Sequence, residues 1–499
     1  MKINRNCISS KRIFKQLILG RLIVIFLLIF ISAENFAQTD TIWRNKNLPV
    51  PEIQWKHRYH QTLVMKLFLS QALYDEKFKR KDNGKIEVFC TIENALEVIK
   101  KADNLTLGIP KIIYLVGWQY NGHDSKYPAW FEGNEKLKRP QDSNTLESIK
   151  WLMNEAKKYN TTVSLHINMF DAYEDSPLWE EYVRQNIIAK NKDGSLRAGE
   201  WGYPISYARE WETGFSQKRI DSLCALLPIQ EAGTIHIDAF HSWAPIGEKG
   251  PGERPFIQGP ISPCLNFTVS DETEAQRNIF KYWASKGIDV TSEGVKFLRE
   301  TAFEGYQPMA WWIDFIPEDY MNWPASFYTG GTDRRYLGKL FGTSIHGEDI
   351  FKNDPANLSG FLKEFCLKTL PWFYLNQHDR ICYISDGDNK KVVFTGDVQT
   401  IFEDGNFSLT QSDKTLVNNG DVFLPALWLD KPGIIAFSEK GFENRKWDLP
   451  DEFNTIAGFD VFGISMNGKQ YMQKMKNENG GITLSLKPGQ GVILIPVDK

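Results

Sequence analysis

From residue 91 to residue 376 the chain repeats one unit, an amphipathic helical stretch, a stop, then a short apolar run, and that repeat constrains the fold more than any other feature. Thr91 stands before a stripe of Ala95, Leu96, Ile99 and Ala102, and after Gly108 and Pro110 the run Lys111 to Val116 reads as a buried strand. Asn144, with Glu147 three residues on, opens a second stripe of Leu146, Ile149, Leu152, Met153 and Ala156, and Asn160 ends it before a strand from Thr161 to Ile167. Asp271, with Glu274 three residues later, caps a third helix on Ala275, Ile279, Tyr282 and Trp283, which Gly287 stops before a strand from Ile288 to Glu293. Helices alternating with strands mean parallel βα units, and a stretch of about 280 residues suits a closed (β/α)8 TIM-type barrel better than an open sheet. After about Gln377 the pattern changes to short strands with turn signals at Asp404-Gly405, Asn419-Gly420 and Asn479-Gly480, which predicts an antiparallel β-sandwich over 377–499.

The N-terminus is organised differently. Six Lys and Arg residues precede or border the apolar run Leu22 to Ile31, and small or polar residues follow up to Ala37, so residues 1–37 read as an export signal. The run is about half the roughly 20 apolar residues that span a bilayer, which argues against a retained membrane helix and for a periplasmic or secreted protein. Residues 38–90 are then an N-terminal segment packing on the barrel of 91–376. Removing residues 1–37 takes away six cations and Glu34, moving the formal charge from −3 to −8. With no basic run or basic aromatic stripe, nucleic acid is excluded as a partner class. The five remaining cysteines have no CxxC spacing and suggest neither a zinc site nor a disulfide scaffold.

Three strands divide their faces with period two. Val163, Leu165 and Ile167 oppose Thr162, Ser164, His166 and Asn168; Ile235 and Ile237 oppose Thr234, His236 and Asp238; Ile288 and Val290 oppose Asp289, Thr291 and Glu293. If the apolar faces meet the outer helices, the polar faces look into the barrel, and Asn168, Asp238 and Glu293 stand at the C-terminal strand ends where barrel active sites form. Two acids at equivalent ends of neighbouring strands point to paired carboxylate chemistry, because burying charge is costly unless protonation states are used. An Asp and a Glu about 5 to 5.5 Å apart are the equipment of a retaining glycosidase, one attacking the anomeric carbon and the other serving as acid and then base. The imidazoles of His123, His166 and His236 suit sugar hydroxyls; with Asp124 and Asp238 they also form a competing metal-hydrolase set. The glycosidase reading calls for no metal and no cofactor.

The stretches "NLTLGIPKIIYLVGWQYNGHDSKYP", "NTLESIKWLMNEAKKYNTTVSLHINMFDAY", "TIHIDAF" and "YWASKGIDVTSEG" resemble, in that order, the barrel of glycoside hydrolase family 101, the endo-α-N-acetylgalactosaminidases, and the related family 129 α-N-acetylgalactosaminidases. The resemblance implies that Asp238 is the nucleophile and Glu293 the general acid/base. It also implies that His123 and Asp124 grip hydroxyls of the sugar, with Asn168 nearby; His166 and His236 are read from the strand faces as further hydroxyl partners, and Trp118 as a stacking wall. The expected function is a retaining α-glycosidase releasing α-linked N-acetylgalactosamine or a close relative from O-glycans, the partner being a carbohydrate or glycoprotein. The alternatives are an exo-α-galactosidase-like enzyme on the same barrel and a non-catalytic glycan-binding protein. Departures surround the site: Asp171 where the family tends to have Glu, Trp118 to Asn121 within an altered loop, and Gly294 in place of a Trp.

Overall fold

The computed structural model describes residues 40–48, 54–75, 81–197, 202–238, 240, 263–292, 316–327, 329, 337–343, 345–346, 352 and 354–497. The expected export signal of 1–37 and the acid Glu293 lie outside the described residues.

Six parallel strands form the sheet that positions the site: β1 (Leu63–Phe68), β2 (Lys111–Val116), β3 (Thr161–Ile167), β4 (Thr234–Ile237), β5 (Asp289–Ser292) and β6 (Ile345–His346). Their spatial order is β5-β4-β3-β2-β1-β6, every neighbouring pair parallel. The four helices α1 (Ile92–Thr106), α2 (Thr145–Ala156), α3 (Phe215–Leu226) and α4 (Val269–Ser285) connect or flank them. One core unites the apolar strand faces, among them Met65, Ile113, Leu165, Ile237 and Val290, with the helix stripes of Ile99, Leu152, Leu223 and Ile279. The period-two division is therefore real in space: one face packs on helices, and the polar alternates face the other way.

The helix starts follow the capping chemistry, with one shift. Thr91 accepts from the Asn94 amide and Asn144 from the Glu147 amide. The expected cap at Asp271 is corrected by one turn. Thr268 is the N-cap of α4, its hydroxyl accepting from the Asp271 amide at 3.2 Å while the Asp271 carboxylate accepts from the Thr268 amide at 2.7 Å. Asp271 is thus the third residue of a reciprocal capping box, a role its short acidic side chain fills as readily as that of a cap.

Residues 38–90, expected as a segment packing on the barrel, also supply strands to both sheets. Leu63–Phe68 is a member of the parallel sheet, paired from Leu63↔Lys111 to Phe68↔Val116, and Asp40–Trp43 pairs antiparallel with Arg380–Asp386 at the edge of the C-terminal sheet. The charge of Lys66 interrupts an otherwise apolar run, yet Lys66 is buried in the strand. Residues Tyr59 to Gln61 seal the N-terminal end of the sheet: the Tyr59 hydroxyl donates toward Thr234 Oγ1 at 2.9 Å and Asp289 Oδ2 at 3.1 Å, and Asp289 also accepts from the Lys56 amide at 2.8 Å. Asp289 is consequently a structural anchor at that end, its carboxyl pushed up to about 6 by burial.

The C-terminal region is an eleven-stranded antiparallel sheet, with Asp40–Trp43 as one edge and Gly468–Lys476 as the other. In place of two comparable sheets, a two-stranded ribbon (Phe442–Asp448 with Gly481–Leu486) lies across part of it, sharing a core of Phe423, Trp447, Phe459, Ile482 and Leu494. Asp404-Gly405 and Asn419-Gly420 close hairpins with both residues at positive φ, as tight hairpin turns require. Asn479-Gly480 instead links strands of different sheets. The two regions share one core and cross-link through Trp428 Nε1 to the Leu107 carbonyl (3.1 Å) and Asn104 Nδ2 to the Met466 carbonyl (2.8 Å). All five described cysteines are free thiols, and no described helix is long and apolar enough to cross a membrane.

Candidate active site

Register brings the polar faces together. His166 on β3 lies opposite His236 on β4, and His236 opposite Thr291 on β5. One layer nearer the N-terminal strand ends, Lys66, Tyr114 and Ser164 stand in one row. A column of rings climbs from this interior to the strand tips: Tyr114 to His236 at 5.3 Å between centroids, His236 to His166 at 5.1 Å, and His166 to His123 at 5.2 Å. His236 Nδ1 hydrogen-bonds Thr291 Oγ1 at 2.8 Å.

At the head of this column stands Asp238. Its amide donates to the Ile167 carbonyl at 2.7 Å, carrying the β3–β4 ladder one residue past Ile237, and its carboxylate Oδ2 lies 3.6 Å from His166 Nε2. Asp238 is half-buried, whereas His166 beside it is almost fully enclosed. One donor atom from each of His123, His166 and Asp238 lies within 4.8 Å of the other two. Such a trio serves a sugar hydroxyl and an anomeric centre, or equally a divalent cation, for which two imidazoles and a carboxylate are a usual donor set.

His123 and Asp124 are delivered by a tight loop laid over Ser70–Ala72. Gly117 has φ +74°, and a Cβ there would sit 1.8 Å from the Ser70 carbonyl oxygen; Gly122 has φ +111°, and its Cβ would lie 2.8 Å from the Gln71 amide nitrogen. Only glycine permits both the backbone angle and the approach. The loop is then pinned by the His123 amide donating to the Ser70 carbonyl at 3.0 Å and by Ser125 Oγ and Asn121 Nδ2 bonding Asp82. Asp124, itself at φ +57°, places its carboxylate 3.5 Å from His123 Nε2, and its carbonyl accepts from the Tyr74 hydroxyl.

Asn168 is held with little freedom. Its Oδ1 accepts from the amides of Phe170 (2.7 Å) and Asp171 (2.8 Å), and its Nδ2 donates to Asp171 Oδ2 at 2.8 Å. Burial, and then the charge of Asp124, push the Asp171 carboxyl up to about 7, against the pull of the Asn168 hydrogen bond. Tyr127 and Tyr173 are buried within reach of the Asp124 charge. Burial first and Asp124 second drive both phenols well above their ordinary range, and Asp238 adds to the effect on Tyr127.

The expected site residues thus divide. His123, Asp124, His166 and Asp238 gather around one space, with Asn168 at the same strand end. Two others need correction. Trp118 has no exposed surface and donates its indole N–H to the His166 carbonyl at 3.1 Å, so it props the strand end from below and offers no face to a sugar. His236 is equally enclosed, level with His166 in the register and bonded to Thr291, a support for His166. Asp171, Tyr127 and Tyr173 were not among the expected site residues; the Asp171 and Tyr173 positions just past the β3 tip were the available signal.

The family model described as endo-alpha-N-acetylgalactosaminidase matches residues 89–286, a stretch that includes His123, His166, Asn168 and Asp238 and ends before Glu293. Among solved structures, the α-N-acetylgalactosaminidase NagBb of Bifidobacterium bifidum in complex with Gal-NHAc-DNJ aligns at a TM-score of 0.50 and 11% identity over 71% of this chain. Its ligand-free form aligns at 0.50 and 12% identity over 70%. This chain spans 58% of the length of each. At such identity the likeness is one of fold, and the likeness in sequence to glycoside hydrolase family 101 rests on residues 89–286.

Proposed function

We propose that the chain is an exported, retaining α-glycosidase that removes α-linked N-acetylgalactosamine, or a closely related sugar, from O-glycans by double displacement. The observation that carries this reading is the convergence of Asp238, His166 and His123 at the C-terminal strand ends, within the stretch that matches the family 101 model. Asp238 attacks the anomeric carbon and Glu293 protonates the leaving oxygen, then deprotonates the water that releases the sugar. His123 and Asp124 hold sugar hydroxyls, and the enclosed His166 orients the Asp238 carboxylate for attack. We further propose that the sheet closes into a (β/α)8 barrel. What supports closure is that β6, last in the chain, pairs beside β1, the first; it requires further strands between Ser292 and Ile345, a stretch much of which lies outside the described residues.

The test is a set of aryl α-glycosides and defined O-glycopeptides, with proton NMR of the first sugar released. Release of α-N-acetylgalactosamine as the α-anomer is the expected result; a β-anomer first, or binding without turnover, contradicts it. Metal-assisted hydrolysis is a second reading, favoured by the His123–His166–Asp238 trio. Dialysis against a chelator separates the two: double displacement by carboxylates predicts unchanged kcat, and metal assistance predicts its loss and its return with a divalent cation.

A further inference from the structure

Away from the strand tips, one cleft joins an exposed indole to a cluster of cations. It lies where the edge strand Asp40–Trp43 meets the helix Pro317–Asn322 and the start of Arg380–Asp386, with a volume of about 570 Å³. That is the size of a small-ligand site, and junctions between regions are where such sites concentrate. Trp43 is 64% exposed, and Leu48 and Ile381 beside it are exposed as well, so three of the seven exposed large apolar side chains among the described residues line this one cleft. Packing does not account for Trp43: strand pairing to Cys382 needs only its backbone.

The charge is equally uneven. Arg44, Lys46 and Arg380 face a single carboxylate, Asp379, in a chain whose formal charge is negative. The rim is fixed, with Arg44 Nη1 on Asp379 Oδ1 at 3.1 Å, the Asn45 amide on Asn322 Oδ1 at 2.8 Å, and the Arg380 guanidinium on the Trp323 carbonyl at 3.1 Å. An indole face accepts the C–H face of a pyranose, and neighbouring cations select for a carboxylate or sulfate on it. Trp323 and Trp55 each pack edge-on against Phe327, and Trp55 reaches the cluster around Tyr59, so the cleft lies toward the N-terminal ends of the strands, opposite Asp238.

We propose that this cleft is a second, non-catalytic saccharide site that takes an acidic oligosaccharide, a sugar ring stacked on Trp43 and its acidic group set against Arg44 and Lys46. It deepens the proposed function by adding a hold on the glycan that does not compete with the reaction.

Affinity electrophoresis of the full chain carrying Asp238→Asn, in gels containing a sialylated mucin or the same mucin stripped of sialic acid, tests this. Trp43→Ala is expected to weaken binding to the sialylated mucin about tenfold, and Trp43→Tyr much less. Lys46→Glu is expected to weaken it several-fold on the sialylated mucin and to change little on the stripped one. With Asp238 restored, Trp43→Ala and Lys46→Glu each keep kcat/KM on a small aryl glycoside within about twofold, since neither touches the reacting centre. Undiminished binding by Trp43→Ala overturns the site, and equal retardation by the two mucins overturns its preference for acid. Binding is read without turnover, so a failure of the glycosidase reading shows only in the aryl glycoside arm.

Discussion

In the proposed double displacement Asp238 and Glu293 divide the labour, and their variants are expected to fail differently. Asp238→Ala is expected to lower kcat at least about a thousandfold on every substrate, because the covalent step has no other nucleophile. Glu293→Ala is expected to spare aryl glycosides with acidic leaving groups far more than natural glycopeptides, since only the latter need a proton. Steady-state kinetics on both substrate classes checks the pair; equal and mild losses contradict the division. The position of Asp238 was legible because strand alternation singles out one face and the strand end singles out one position on it, whereas Glu293 lies outside the described residues. The fates of Trp118 and His236 were not legible. Whether an aromatic at a strand end meets substrate or props the layer beneath depends on its indole N–H finding the His166 carbonyl, a contact between strands that no one-dimensional pattern carries.

Elements carry the site through their ends and turns. A Cβ on Gly117 would overlap the Ser70 carbonyl, which is backbone and cannot swing away, so Gly117→Ala is expected to cost several kcal/mol of stability. Activity should fall further than stability, because the same turn delivers His123 and Asp124. Melting temperature and kcat/KM of the folded fraction measure the two effects separately. Thr268→Ala removes one half of the capping box on α4 and should cost about 1 kcal/mol with little change in activity, read from denaturant midpoints. The capping box also explains why sequence located this helix but misjudged its first turn: an Asp is at home both at the cap and three residues after it.

Across the molecule, buried carboxyls shape the response to pH, among them Asp171, Glu272 and Asp289. Burial raises Asp171 to about 7, Glu272 to about 7 and Asp289 to about 6. Each binds its proton more tightly folded than unfolded, so its contribution is fully present below the ordinary carboxylate range and is lost as pH rises through these values. Thermal stability is therefore expected to fall between about pH 5 and pH 8, and Glu272→Gln, which keeps an acceptor for the Ala208 amide, should flatten part of that fall. Melting curves at the two pH values decide it; stability that rises over that range contradicts it. At this scale the succession of helices and strands from residue 91 and the change of pattern near residue 377 were readable, since periodicity is local. The roles of Leu63–Phe68 and Asp40–Trp43 were not, because each completes a sheet whose other strands lie far along the chain, and the buried Lys66 disguises the first as a surface segment.

That Asp238 attacks the anomeric carbon is tested most directly by peptide mass spectrometry after incubation with a fluorinated glycosyl donor that slows release of the covalent intermediate. A sugar adduct on Asp238, absent from Asp238→Asn, is the predicted result. An adduct on another carboxylate such as Asp124 or Asp171, with Asp238 unmodified, would contradict it.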